Sequence, residues 1–470
     1  MSVPATSDAA TDAAMCDRAL SCPAPSGSAK WEAAASGHAG RIEPRHPRRG
    51  MAMGRDLSFE RAIRFAAELV RTPSLPGEEG AVAGRIVAEL VALGFDQART
   101  DRAGNVIGRI AGTGDAPAVI LSSHMDVVDV GDVEAWEHDP FGGDVADGCL
   151  HGRGSMDVKG PLAIQVYAAA SFVDQRPAGD ILAVFSVFEE KGGWGMMHLM
   201  ESLEVTPGAV ILSEATDLDV CTGHRGHAEL AVEIHGRAAH ASAPERGRNP
   251  VLVLPRILMA LREISDAQPR HPVLGRATLT PTMVETWPKS GNVIPDRIRI
   301  TLDMRVLPGW EEYRAVTQIR ALLKDRVPLM EGLRVEVLPG LVVHRAWTGW
   351  EDEHSNFTPG FLMSDDHPVV LAAAGAVHAA TGRVPAVRQW KFGTDGGHSC
   401  GTHGVPTIGF APGVEALAHT NRERLALDSA RIAFDAYPAL IRGVQAALAE
   451  GRGIPLRGVS AGTAAAVPVA

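Results

Sequence analysis

The sequence predicts an α/β protein, with a mainly parallel sheet wrapped by helices and interrupted by a small β-α-β-β-α-β unit. Three observations point there. Short, continuous apolar runs alternate with helical segments in the early and late parts of the chain. Such runs mark strands buried on both faces, and their alternation with helices implies parallel pairing. In the middle of the chain, apolar and polar residues alternate singly, as in strands with one wet face. Finally, 470 residues exceed what one compact core holds, so two or three domains are expected.

Taken in order, Leu57 to about Leu93 carries two helical patterns broken at Pro73 and Pro76. Strands follow at Ala118–Leu121, Ile181–Phe188 and Ala209–Leu212, with a helix starting after Lys159. The style then changes. Leu230, Val232 and Ile234 sit on one face of a strand, Asn249–Ile264 is a helix, and Ala277–Trp287 and Arg297–Arg305 are strands. A helix over Trp310–Lys324 and a strand over Leu333–Leu338 complete the order of a ferredoxin-like split unit. The first style returns with a helix over Pro368–Ala380, a strand over Val405–Phe410 and a long helix over Leu425–Leu448. The expected organisation is an α/β domain in two pieces, 55–223 and 340–450, enclosing an inserted unit over 224–339. Tails over 1–54 and 451–470, rich in small and polar residues without periodicity, are expected to be disordered. Met51 or Met53 is an alternative start.

Composition excludes some functions. A formal charge of −11 and a pI near 5.9 argue against a nucleic-acid surface. No run reaches the roughly 18–20 apolar residues of a membrane span, and the first fifty residues lack a secretory apolar stretch. Five scattered cysteines suggest a reducing, cytoplasmic setting and form no zinc-finger pattern.

The chemistry is carried by five side chains set where strands end: His124, Asp157, Glu190, Glu214 and, far downstream, His419. Two imidazoles and three carboxylates suit a pair of zinc-type ions, and one carboxylate can span such a pair. His124 closes the first buried strand, where open α/β sheets gather their ligands. Asp126, two residues on, could accept the second imidazole N–H; a loop histidine beside a solvated aspartate is the alternative. Asp157 lies in Gly152-Arg153-Gly154-Ser155-Met156-Asp157, where a carboxylate could bridge two cations or simply cap the helix that follows. Glu189 and Glu190 end a buried strand, and adjacent carboxylates repel unless cations or a shared proton offset them. Glu189 could move protons rather than hold metal.

These strings resemble the family of zinc aminoacylases, acetylornithine deacetylases and succinyl-diaminopimelate desuccinylases, which includes carboxypeptidases and dipeptidases. The resemblance runs through Ser123-His124-Met125-Asp126, Asp139-Pro140-Phe141, Gly152-Arg153-Gly154 and Glu189-Glu190-Lys191-Gly192-Gly193. It continues through Ser213-Glu214, His240-Ala241-Ser242-Ala243-Pro244 with Asn249-Pro250, Gly291-Asn292-Val293-Ile294-Pro295, Asp303-Met304-Arg305, Gly393-Thr394-Asp395 and Ala418-His419-Thr420-Asn421. It covers roughly Leu57 to Leu448 in the expected order. One departure is visible: Ala215 follows Glu214, where deacetylases of this group usually carry proline.

The resemblance implies a di-zinc exopeptidase-like catalytic domain with the inserted unit as lid and dimerisation domain. Two divalent ions are implied, zinc foremost, with cobalt or manganese as alternatives. His124 and Glu214 would hold one ion, Glu190 and His419 the other, with Asp157 spanning both. Glu189 would be the general base and Asp126 the orienter of His124. His240 would reach in from the lid, often that of a second subunit, which implies a homodimer. Arg305 and Asn292 resemble contacts to a substrate carboxylate, Asn249 accompanies the His240 motif, and Gly393, Thr394 and Asp395 resemble a flexible substrate-side loop. Arg305 serves equally well in an ion pair with Asp303 or Glu285, and His224-Arg225-Gly226 reads as hinge or pocket wall. The expected activity is cleavage of an N-acyl amino acid or small dipeptide-like substrate with a free carboxylate. An aminohydrolase or deaminase on the same ions, or a non-catalytic binding protein, are the alternatives.

Overall fold

The computed structural model describes residues 55–451; the expected tails, 1–54 and 451–470, lie outside the described residues, Gly451 excepted. An eight-stranded sheet runs in the order Gln97–Thr100, Val106–Ile110, Ile181–Ser186, Ala118–His124, Pro207–Leu212, Thr407–Gly409, Val220–Cys221, Val387–Arg388. The four strands in its middle are mutually parallel. Every residue of Ala118–His124 and of Ile181–Ser186 is buried, which is why both read as unbroken apolar runs. The edge strands Gln97–Thr100 and Val106–Ile110 pair antiparallel. The first is mostly exposed and polar, so no apolar run announces it.

Helices cover the sheet. Ser58 caps Phe59–Val70 through a hydrogen bond from the Arg61 N–H at 3.2 Å. Lys159–Ala170 is buried along its whole length, packed against Phe59–Val70, Leu427–Glu450 and the strand Ala118–His124. Its Lys159 tolerates that burial because Nζ donates to the Thr72 carbonyl at 2.7 Å. Burial nevertheless pushes the Lys159 ammonium down to about 7.

The inserted unit is a second sheet in the order Thr278–Trp287, Arg297–Val306, Gly226–His235, Arg334–Pro339, all antiparallel. Arg297–Val306 alternates without a break between half-buried and buried residues. Its buried face joins helices Leu254–Asp266 and Glu312–Arg326 in an apolar core built on Leu230, Val232, Ile257, Ile300, Leu302 and Ile319. That core is distinct from the one around the central sheet. Two features extend the pattern read from the sequence. Phe357–Thr358, beyond residue 339, pairs with His227 and Ala228. A hairpin pairs Leu341–Arg345, whose Leu341 and Val343 are exposed, with the polar strand Glu351–Ser355. Among the described residues, no helix is long and apolar enough to cross a membrane.

Candidate active site

The central strands deliver their chemistry at one edge. His124 is the last residue of its strand and pairs in register with Ser186, while Ser122 pairs with Leu212. The turns leaving these three adjacent parallel strands therefore carry His124, Glu189-Glu190 and Glu214 to one place. Asp157 comes from the turn before helix Lys159–Ala170, and His419 from a loop after Thr407–Gly409.

These side chains converge. His124 Nε2 lies 3.3 Å from Asp157 Oδ1 and 3.6 Å from Glu214 Oε1. His419 Nε2 lies 3.2 Å from Asp157 Oδ2 and 3.0 Å from Glu190 Oε1. One Asp157 oxygen thus faces each histidine, the disposition of a bridging carboxylate. His124, Asp157 and Glu190 each offer a donor atom within 4.8 Å of one another, and so do His124, Glu189 and Glu214. His124 Nδ1 sits 2.8 Å from the Asp126 carbonyl oxygen. A carbonyl only accepts, so Nδ1 carries a proton, and Nε2 is the atom left facing Asp157 and Glu214.

Asp126 thereby differs from its expected role. Its backbone, not its carboxylate, orients His124; the carboxylate accepts the N–H of Glu189 and of Glu190 at 3.0 Å each. It faces the next strand's turn because those N–H groups begin a short 3₁₀ segment, Glu189–Lys191, and have no helical partner of their own. Around that turn Phe188 is left-handed at φ 54°, and so is His419 at φ 60°, a conformation costing a non-glycine residue about 1–3 kcal/mol. Gly193, at φ 75°, could carry no side chain, since a Cβ there would meet the His398 ring and the Asp395 carboxylate within 3.0 Å.

The crowding of carboxylates shows in their acidities. Burial, reinforced by the neighbouring Glu214, holds the Glu189 carboxyl well above the usual range. Burial also pushes Glu214 up to about 8 and Asp126 to about 6. Burial would raise Asp157 too, but its bonds to His124 and His419 hold it below the ordinary carboxylate value. Asp157 and Glu190 drive the His419 imidazole up to about 10. Crowded and buried, most of these carboxylates resist ionisation, while His124 and His419 favour their charged forms.

Two adjoining chambers open here, of about 280 and 290 Å³, sharing Glu189, Glu190, Gly393 and His419. The first is lined by Asp157 and Glu214. The second reaches the inserted sheet at Arg305 and His227, and includes Thr394. Arg305 pairs with Asp303, Nε to Oδ1 and Nη2 to Oδ2 at 3.1 Å each, while Glu285 takes Lys289 instead. Arg305 is therefore both ion-paired and part of the cavity wall.

Three other expected site residues, His240, Asn292 and Asn249, are not brought there. His240 is exposed and its Nδ1 accepts from Ser242; it lines neither chamber. Asn292 is exposed beside it, its carbonyl accepting from the Ala241 N–H at 2.9 Å. The Asn249 side chain caps Pro250–Leu252 through the Val251 N–H at 3.0 Å. Asp395 is buried and accepts from Ser186 Oγ at 2.6 Å. In the 393–397 segment Gly396 and Gly397 lie against Phe361 and Pro359, while Gly393 faces open space. Thr394 is likewise buried, its Oγ1 3.0 Å from His224 Nε2.

Three contributors escaped the reading of the sequence. Glu79, fully buried, accepts from the N–H of Gly77 and Phe188, and burial raises it to about 8. Glu423 accepts the N–H of Met156 and Asp157 at 3.2 Å each while bound to Arg153 at 2.5 Å. His227 lines the second chamber. Each acts across a long sequence separation, and a polar residue in a turn carries no local mark of that.

Known proteins resemble this chain in sequence and in fold. The model of the peptidase family M20/M25/M40 matches residues 120–443. The uncharacterized protein YgeY of Escherichia coli (strain K12) is 32% identical over 365 residues, covering 77% of this chain and 89% of YgeY. A succinyl-diaminopimelate desuccinylase of Methylorubrum extorquens is 30% identical over 351 residues, covering 70% of this chain and 86% of that enzyme. In fold, the chain is similar to the M20 family metallo-carboxypeptidase Sso-CP2 of Sulfolobus solfataricus, with a TM-score of 0.65 at 17% identity, covering 82% of this chain and 99% of that one. The chain therefore belongs to the peptidase family M20/M25/M40 and is a metal-dependent hydrolase of amide or peptide bonds.

Proposed function

We propose that this enzyme cleaves the amide bond of an N-acyl amino acid, or of a small peptide with a free carboxylate, at a centre for two divalent cations. The observation that carries the reading is Asp157, with one oxygen 3.3 Å from His124 and the other 3.2 Å from His419. His124 and Glu214 would hold one cation, and Glu190 and His419 the other. The donor set fits: two imidazoles and three carboxylates suit zinc, with cobalt or manganese as alternatives. The weakened acidities of Glu189 and Glu214 support it too, because burial, with repulsion from neighbouring carboxylates behind it, opposes their ionisation, and bound cations would offset both. Two such ions, when bound, would acidify a water and polarise the scissile carbonyl.

This chain's residues supply the rest. Glu189 takes the proton from the attacking water and delivers it to the departing amine nitrogen. Asp126 holds the Glu189-Glu190 backbone in place, and the Asp126 carbonyl keeps His124 in the tautomer a metal needs. His240, exposed on the inserted unit, would serve the oxyanion from a second subunit, making a homodimer the working assembly. Among the described residues, the free cysteines Cys149, Cys221 and Cys400 fit a cytoplasmic setting. A panel of N-acetyl and N-succinyl amino acids and dipeptides, assayed on zinc- or cobalt-reconstituted protein, tests the reading. Release of acyl acid or free amino acid is expected; ammonia without either product would overturn it in favour of an aminohydrolase.

A further inference from the structure

We propose that His227 is a specificity-determining residue, reading the substrate carboxylate together with Arg305 on the chamber wall formed by the inserted sheet. This rests on the amide-hydrolase reading above and adds the side chain that selects among its substrates.

The placement follows from strand alternation. Ala228, Leu230, Leu302 and Met304 point into the inserted unit's core, so His227, Asp303 and Arg305 occupy the other face. His227 and Arg305 are direct cross-strand partners, and both line the chamber that Glu189, Glu190 and His419 also line. Asp303 stands between them, its Oδ2 3.2 Å from His227 Nε2 and its two oxygens on Arg305 Nε and Nη2. Among the described residues, Arg305 Nη1 and His227 Nδ1 have no protein partner. One aspartate thus serves two groups that can each be cationic. With His227 protonated the trio carries one net positive charge, enough for one carboxylate. With His227 neutral the charge is zero, and Nδ1 becomes an acceptor that repels an anion.

The surrounding charges orient such a ligand. Glu229 shares the strand and face of His227, its Oε2 3.5 Å from Asn356 Nδ2. Glu189 and Glu190 line the same chamber, with His419. An anionic group is repelled from the carboxylates and drawn to His227 and Arg305, which leaves the amide at the centre. The ligand class is an amide with one carboxylate on its amine side, and it binds better when His227 is charged.

The test compares an N-acetyl amino acid with its carboxamide on the metal-reconstituted full chain. Kinetics and calorimetric binding are measured for the native chain, His227→Gln and His227→Lys. His227→Gln is expected to raise KM and Kd for the acid about tenfold, the worth of one charge-assisted hydrogen bond. The kcat should stay within about twofold, and the carboxamide should be unaffected. His227→Lys should recover acid binding. Equal losses on acid and carboxamide, or a fall in kcat alone, would overturn the proposal, as would no binding of the acid by the native chain. If His227→Gln does not fold, the acid-against-carboxamide comparison in the native chain and His227→Lys decides. Calorimetry needs no turnover, so binding without cleavage would count against the hydrolase reading and leave this one standing.

Discussion

At the scale of single residues, two substitutions separate roles that sit side by side in the chain. Glu189→Ala is expected to lower kcat by roughly 10²–10⁴-fold, the usual worth of a positioned general base, with bound metal nearly unchanged. Elemental analysis beside the rate assay checks this. Loss of metal together with activity would make Glu189 a ligand, a position its reach to His124 and Glu214 also allows. Asp126→Ala acts differently, because its carboxylate holds the N–H groups of Glu189 and Glu190. Leaving two part-buried donors without a charged acceptor should cost about 3–5 kcal/mol, read by urea denaturation, and should lower metal content as Glu190 loses its support. Asp126→Asn, keeping one acceptor oxygen, should fall between.

At the scale of elements, the turn Glu189–Gly193 is clamped by side chains as well as by its own backbone hydrogen bonds. The Gly192 carbonyl accepts from Thr358 Oγ1 at 2.9 Å and lies 2.9 Å from His398 Nε2. The Lys191 carbonyl lies 3.2 Å from His344 Nε2. His398 is buried, and burial depresses its imidazole to about 4; His344 is depressed to about 4 for the same reason. A base with a lowered native pKa contributes stability that is fully present above its unfolded value near 6.5. That stability is lost as pH falls toward the native value near 4. A difference of about 2.5 units corresponds to roughly 3 kcal/mol for His398 alone. Urea midpoints at pH 7, 5.5 and 4.5 should therefore decline, and His398→Gln, which keeps an N–H donor but cannot titrate, should decline less. Equal declines would show that protonation elsewhere governs acid unfolding.

At the scale of the whole molecule, the site joins strand ends of the central sheet with a wall from the inserted unit, which has its own core. Bound metal would tie residues 124, 157, 190, 214 and 419 together, so chelation should lower the melting temperature. Restored zinc at 100-fold over Kd would return about 2.7 kcal/mol per site, and a metal-independent melting temperature would contradict the centre. His240 belongs to the inserted unit and is exposed. Co-expressed His240→Ala and Glu189→Ala chains should regain part of the activity that each lacks alone. No recovery would place His240 outside the reaction of a partner subunit.

The sequence by itself determined the α/β class, the inserted β-α-β-β-α-β unit and the residue types of the centre. Burial on both faces leaves an apolar run, burial on one face leaves alternation, and a carboxylate where a buried strand ends is conspicuous in a local string. The tertiary structure alone decided that Asp126 supports the Glu189-Glu190 backbone, that Glu423 holds the Asp157 N–H, and that Thr394 and Asp395 turn inward. It also decided that His227 reaches the chamber while His240 does not. Those outcomes depend on which polar groups meet across 60 to 270 positions of chain. A hydrogen bond made at such separation imposes no periodicity on either of its ends.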